Sequence, residues 1–305
     1  MSVGLAIALS SPLVGTQPRE SGTVTITLSF DGRTRQYLVH VPASADGALV
    51  LAFHGGGLSG AQQQRTSGLD KIAERERFIV AYPEGFERGW ADGRGVLPAD
   101  KQGIDDVGFA RAVVADIARK HKIDRARVFA TGLSNGGILV SRLACEAANT
   151  FAAVAPVIGT LAVGRAASCR PSAPVAVVGI QGVADPTVPF GGGYIAGGPE
   201  GGSVLGSRAM QELFRSLNGC TATPVVSSLP VIVKDGTSVD RRTYGSCRQG
   251  ADVVWYEIQG GGHRWPPFQF AGLREAEEVR DNGVSSQNLI ASEAIWEFFA
   301  AHARR

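Results

Sequence analysis

From Thr23 to Phe30 the chain alternates β-branched and polar residues, the pattern of a strand with one buried face. Asp31-Gly32 follows, a dipeptide suited to a tight hairpin turn, and Tyr37–Val41 predicts the partner strand. The pattern then changes. Ala48–Phe53 is a nearly continuous apolar run, which predicts a strand buried on both faces. Phe78–Tyr82, Val128–Thr131, Phe151–Val157, Val175–Gln181 and Val253–Gln259 repeat that pattern. Between these runs, Ser67–Arg77, Val107–His121, Ile138–Ala148, Ser203–Leu217 and Ser286–Ala300 suit helices. Lys120, His121 and Lys122 complement a helix C-terminus, and Asn218-Gly219 offers a C-terminal cap. A hairpin followed by alternating strands and helices predicts an α/β fold. Its sheet is mostly parallel, with an N-terminal antiparallel hairpin and helices on both faces. No internal repeat and no Pro-, Ser- or charge-rich linker divides the chain, so residues 21–305 are expected to form a single domain.

Composition narrows the partners more than the fold. A net charge of +2 gives no basis for binding nucleic acid or an anionic membrane surface. No run reaches the roughly 20 apolar residues that span a bilayer. The cysteines Cys145, Cys169, Cys220 and Cys247 contain no C-x-x-C pair, which argues against a zinc ribbon or a thioredoxin-type site. Of the three disulfide pairings they permit, Cys145–Cys169 with Cys220–Cys247 is favoured, because each closes a short local loop. Each such bridge contributes about 3 kcal/mol in the chain-entropy model. The alternative is four reduced, buried cysteines in a cytosolic protein. Residues 1–20 are expected to be a signal-like or disordered segment. Val3–Leu9 is a short apolar run followed by Ser10-Ser11-Pro12, as in the apolar part of a secretory signal, although no Lys or Arg precedes it. With the cysteines, it points to a secreted or periplasmic protein.

The densest chemical signal is Gly132-Leu133-Ser134-Asn135-Gly136, between an apolar run and a helical segment. A strand, then G-x-S-x-G, then a helix is the arrangement of a nucleophile elbow, in which a strained turn lifts the serine hydroxyl above the sheet. Side chains two residues either side would collide there, so glycine fits. A serine hydroxyl needs a base to remove its proton. Of the five histidines, His40 lies inside a strand, His121 ends a helix, and His302 is in the tail. His54 ends a buried strand beside a glycine run, whereas His263 follows Gly260-Gly261-Gly262 in a loop after the last strand. His263 is therefore the expected base. Its orienting carboxylate is expected to be Asp185, just beyond the strand Val175–Gln181. Asp240 and Asp252 are weaker candidates. The order Ser134, Asp185, His263 is that of α/β-hydrolases, and this is the expected fold.

The oxyanion formed during acyl transfer needs donors already in place. The backbone N–H of Asn135 is one candidate. His54-Gly55-Gly56-Gly57 supplies the second, with Gly56 preferred and Gly57 as the alternative. Asp105-Asp106 opens a helix, and N-terminal capping is the expected role of the pair. Trp90 and Trp265 lie in loops and are expected, with His54, to line the substrate pocket. No metal or cofactor is implied.

Together these segments resemble the polyhydroxybutyrate-depolymerase-like esterases, which include feruloyl and acetylxylan esterases of the same fold. The pieces are Tyr37–Pro42, His54–Gly57, Tyr82–Gly85, Asp105–Phe109, Gly132–Gly136, Ala184–Pro186 and Gly262–Pro266, within residues 34–300. The resemblance implies a secreted serine esterase with Ser134 as nucleophile, Asp185 as acid and His263 as base, and it supports the same two disulfides. Departures occur at Gln181-Gly182-Val183, where the family often has His-Gly-Thr, and at Trp90-Ala91-Asp92, where it often has Trp-Asn-Asp. Both alter pocket polarity. The expected activity is ester hydrolysis through an acyl-enzyme, on short-chain or hydroxyalkanoate esters, small or polymeric, with no obligate protein partner. Feruloyl or acetylxylan ester hydrolysis is the alternative. A serine peptidase, or a non-catalytic binding protein on the same scaffold, would be readings of another class.

Overall fold

The computed structural model describes residues 22–195, 202–268 and 281–304. The signal-like segment expected over residues 1–20 lies outside them.

Asp31 and Gly32 both take positive φ, 49° and 68°, and turn β1 (Gly22–Phe30) into β2 (Arg33–Val41) as an antiparallel hairpin. The apolar runs form β3 (Leu49–Phe53), β4 (Ile79–Pro83), β5 (Val128–Leu133), β6 (Ala153–Val157) and β7 (Ala176–Gly182), every residue of which is buried. Continuous burial explains the missing alternation: both faces of these strands are covered. A two-stranded sheet, β8 (Gly193–Tyr194) with β9 (Ser203–Val204), stands apart. β10 (Val225–Ser228), β11 (Ser238–Tyr244) and β12 (Val253–Gln259) complete a ten-stranded sheet of order β1-β2-β4-β3-β5-β6-β7-β12-β11-β10. Its centre, from β4 to β12, is parallel. This is the α/β-hydrolase sheet expected from the pattern, except that β10 and β11 add a second antiparallel edge.

Helices cover both faces; the first in the chain is α1 (Gly60–Ser67), and the short α3 is Pro98–Lys101. Leu49, Leu51 and Phe53 point to one core with residues of α4 (Asp106–Lys120) and α5 (Asn135–Glu146). Ala48, Val50 and Ala52 point to the other, with α2 (Leu69–Glu76) and the C-terminal helix Ala291–Ala301. The predicted helix 67–77 is α2, and a further helix that the pattern did not predict precedes it. The earlier one, Gly60–Ser67, ends where Gly68 takes a left-handed conformation (φ 61°), and the later one starts there. The predicted helix from Ser203 starts at Ser207, because Ser203 and Val204 pair as β9. Cys145 is bonded to Cys169 and Cys220 to Cys247, the pairing favoured by loop length.

Candidate active site

β5 ends and α5 begins around Ser134, which sits at φ 54°, ψ −118°. A non-glycine residue rarely adopts this strained region. The flanking glycines permit it. A Cβ on Gly132 would lie 2.6 Å from the Gly136 carbonyl oxygen, and one on Gly136 would lie 2.4 Å from that of Phe53. Any side chain at either position would therefore force the turn apart.

The loop after β12 brings His263 to the serine. Its Nε2 lies 2.9 Å from Ser134 Oγ, and its Nδ1 lies 2.8 Å from Asp185 Oδ2. The other carboxylate oxygen of Asp185 accepts the N–H groups of Thr187 and Val188, at 2.7 and 2.8 Å. That turn orients the carboxylate while leaving Oδ2 for the histidine. His263 is half-buried and the Asp185 side chain is fully buried, so the pair is shielded on the acid side and open on the serine side. The weaker acid candidates lie elsewhere. Asp240 accepts from Ser228 and Gln259, and Asp252 pairs with His302.

Beside the serine, Asn135 is the first residue of α5, so its N–H has no acceptor within the helix. Gly56 packs against it: a Cβ there would meet the Asn135 Cβ at 3.7 Å. Gly57, the alternative donor, is committed elsewhere, since its N–H donates to the Arg88 carbonyl at 2.8 Å.

His54 and Trp90 do not line a pocket, and the expectation that they do is corrected. Both are fully buried. Trp90 packs edge-on against Phe53, and its Nε1 donates to the His54 carbonyl at 2.8 Å. The Gly85 N–H donates to His54 Nε2 at 2.9 Å. Nε2 must then be the unprotonated nitrogen, which leaves Nδ1–H to donate to the Gly55 carbonyl at 2.8 Å. Burial, reinforced by Arg88 and Arg35 and opposed by the bond to Gly55, pushes His54 down to about 4. It is a neutral structural histidine that shapes the glycine loop.

The Asn135 side chain braces the same wall. Its Oδ1 accepts the Trp90 N–H at 2.9 Å, and its Nδ2 donates to Asp92 Oδ2 at 2.6 Å. Asp92 is buried and also holds Arg94, at 2.8 Å. Desolvation pushes its carboxyl above the ordinary range, and Arg94 opposes the shift. Asp105 caps α4 through the Gly108 N–H, but the helix-capping role expected of Asp106 does not hold. Asp106 is fully buried, pairs with Arg35 at 2.8 Å and accepts the Ala91 N–H at 2.7 Å. The bracing role of Asp92 was not legible in the sequence; its only signal was its place in Trp90-Ala91-Asp92.

On the other side of His263 a cavity of about 500 Å³ opens, walled by Leu58, Leu133 and Phe268, with Gln62 and Arg65 from the helix Gly60–Ser67. Trp265 borders it but is only 2% exposed, because its indole Nε1 donates to Ser292 Oγ at 3.0 Å. With so little of it exposed, Trp265 adds little surface to the cavity. Gln181 is buried among core residues.

A family model described as Esterase PHB depolymerase matches residues 35–187, half of the chain. The chain belongs to the esterase PHB depolymerase family. The matched span holds Ser134 and Asp185, and His263 lies beyond it. This esterase is 32% identical over 280 residues to "Putative esterase NocK" of Nocardia uniformis subsp. tsuyamanensis, across 87% of this chain and 80% of that protein. It is 29% identical over 302 residues to Feruloyl esterase C of Emericella nidulans, across 96% and 92%. Among solved structures, the acetyl xylan esterase from Aspergillus awamori superposes with TM-score 0.59 at 14% identity, over 84% of this chain and 98% of that one, a likeness of fold. The protein is a carboxylic-ester hydrolase. No helix of the described residues is long and apolar enough to cross a membrane.

Proposed function

We propose that this esterase acts through Ser134, His263 and Asp185, on short-chain or hydroxyalkanoate esters. The observation that carries the reading is the chain of contacts from Asp185 Oδ2 to His263 Nδ1 (2.8 Å) and from His263 Nε2 to Ser134 Oγ (2.9 Å). His263 takes the hydroxyl proton as Ser134 Oγ bonds to the ester carbonyl carbon, and Asp185 stabilises the imidazolium. The carbonyl oxygen becomes an oxyanion, which accepts the N–H groups of Gly56 and Asn135. Collapse breaks the carbon–oxygen bond of the ester, and His263 gives its proton to the departing alcohol. Water then attacks the acyl-serine and loses its proton to His263. That proton returns to Ser134 Oγ as the acid leaves.

The family description and a cavity of about 500 Å³, sized for a small organic group, support a short ester. Feruloyl esters are the second reading, favoured by the 29% identity to Feruloyl esterase C over nearly the whole chain. The two disulfides support an exported protein, since such bonds persist in oxidising compartments.

Ser134→Ala should lower kcat on p-nitrophenyl acetate and butyrate by on the order of a millionfold while the melting temperature holds. Turnover near the wild-type rate in the folded variant would remove Ser134 from the chemistry. A panel with a hydroxybutyrate trimer and methyl ferulate ranks the two substrate readings by kcat/KM.

A further inference from the structure

The cavity beside His263 has a polarity that ester hydrolysis does not require. Arg65, on the last turn of the helix Gly60–Ser67, lines it and is exposed. Its guanidinium makes no ion pair among the described residues. Arg264 lines the same cavity, with its guanidinium 5.6 Å from the centre of the Phe268 ring. None of the described lining residues is acidic. Among the described residues, the cavity joins apolar walls, Leu58 and Leu133, to the exposed guanidinium of Arg65.

Its position relative to the reacting atoms says which part of the ester it faces. The acyl carbon is carried on Ser134, and the oxyanion turns towards Gly56 and Asn135. The departing oxygen must lie within hydrogen-bond reach of His263 Nε2, and His263 is the member of the triad that lines this cavity. Resting on the triad reading above, we propose that the cavity receives the alcohol part of the ester and that Arg65 selects alcohols carrying a free carboxylate. The substrate class is then an ester of a hydroxy acid whose own carboxyl group is free, as at the acid end of a hydroxyalkanoate oligomer. Leu58 and Leu133 pack the carbon skeleton, and the Arg65 guanidinium offers a forked pair of donors to the carboxylate.

The test compares 3-acetyloxybutanoate with its primary amide, equal in size but neutral, by acetate release at low ionic strength. Monoethyl succinate, with its carboxylate on the acyl part, is the third substrate, its hydrolysis followed by ethanol release. Wild type should prefer the carboxylate over the amide by about tenfold in kcat/KM, a preference that shrinks in salt. Arg65→Gln should remove the preference, and Arg65→Glu should invert it, with circular dichroism confirming that both variants are folded. An unchanged carboxylate-to-amide ratio in folded Arg65→Glu would overturn the proposal while the esterase reading stands. A larger Arg65→Glu effect on monoethyl succinate than on 3-acetyloxybutanoate would place the acyl part in the cavity and overturn it too. Failure of wild type on p-nitrophenyl acetate would instead defeat the triad reading, and this inference with it.

Discussion

The wall of the site formed by His54, Trp90 and Asn135 is dry, and each side-chain polar group on it is hydrogen-bonded. The wall formed by Gln62, Arg65 and Phe268 is open to solvent and faces a cavity. The two meet at Ser134 and His263. The difference follows from what each has to do. Donors for an oxyanion must be held in place before charge develops; in the proposed mechanism the Asn135 side chain would do this, since it ties the start of α5 to Trp90 and Asp92. The open wall is, in the proposed reading, where the variable part of a substrate would sit, and water can replace a lost contact there. Substitution on the dry wall strands buried polar groups; substitution on the open wall does not.

The sharpest way to break this comparison is Asp92→Ala. It takes a buried carboxylate from both Asn135 and Arg94, and unfolding free energy should fall by about 3–5 kcal/mol, read from urea midpoints. A loss under about 1 kcal/mol would mean the dry wall is as tolerant as the open one.

A second measurement uses acid. His54 is held neutral in the fold, down to about 4, whereas an unfolded histidine titrates near 6.5. Below pH ~6.5 the unfolded chain binds a proton that the folded one refuses, so the stability held above that pH is lost as pH falls through about 4. The full loss is roughly 3 kcal/mol. Glu84, with a carboxylate oxygen 3.9 Å from Nε2, does not offset it, because the Gly85 N–H occupies that nitrogen. His54→Gln is neutral at every pH, so the stability gap between wild type and variant should narrow by about 3 kcal/mol between pH 7 and pH 4. A constant gap would show that His54 protonates freely.

The smallest effect belongs to the open wall. Thr66→Val changes a half-buried cavity residue and should shift stability by no more than about 0.5 kcal/mol in thermal melts. It should also shift relative kcat/KM among short esters by less than about threefold. A loss above about 2 kcal/mol would show that the open wall is as constrained as the dry one.

Legibility followed burial. β3, β5, β7 and β12 were readable because strands covered on both faces must be apolar throughout. β10 and β11 were not: Val225–Ser228 is wholly exposed, and Ser238–Tyr244 carries Asp240, Arg241 and Arg242. An edge strand gets its order from pairing with a neighbour, which leaves little hydrophobic pattern to read. The helix Gly60–Ser67 was missed for a related reason, since its Gln62-Gln63-Gln64 run lacks an apolar stripe.

At the site, local chemistry determined the serine turn. Gly132, Ser134 and Gly136 are four residues apart at most, and the collision that demands glycine is within that turn and with β3 beside it. The chain order of Ser134, Asp185 and His263 was likewise readable, because each follows a strand whose apolar run is plain. Tertiary structure alone decided the rest. His54 reads as the end of a buried strand and Trp90 as a loop residue, and both are expected at a pocket wall, yet both are buried because their partners, Gly85 and the His54 carbonyl, come from segments distant in the chain. Arg65 has no local signal at all. Only the packing of its helix against the strands that carry the site brings its charge into the cavity beside His263, since side chains 198 residues apart share a cavity through the fold and not through sequence spacing.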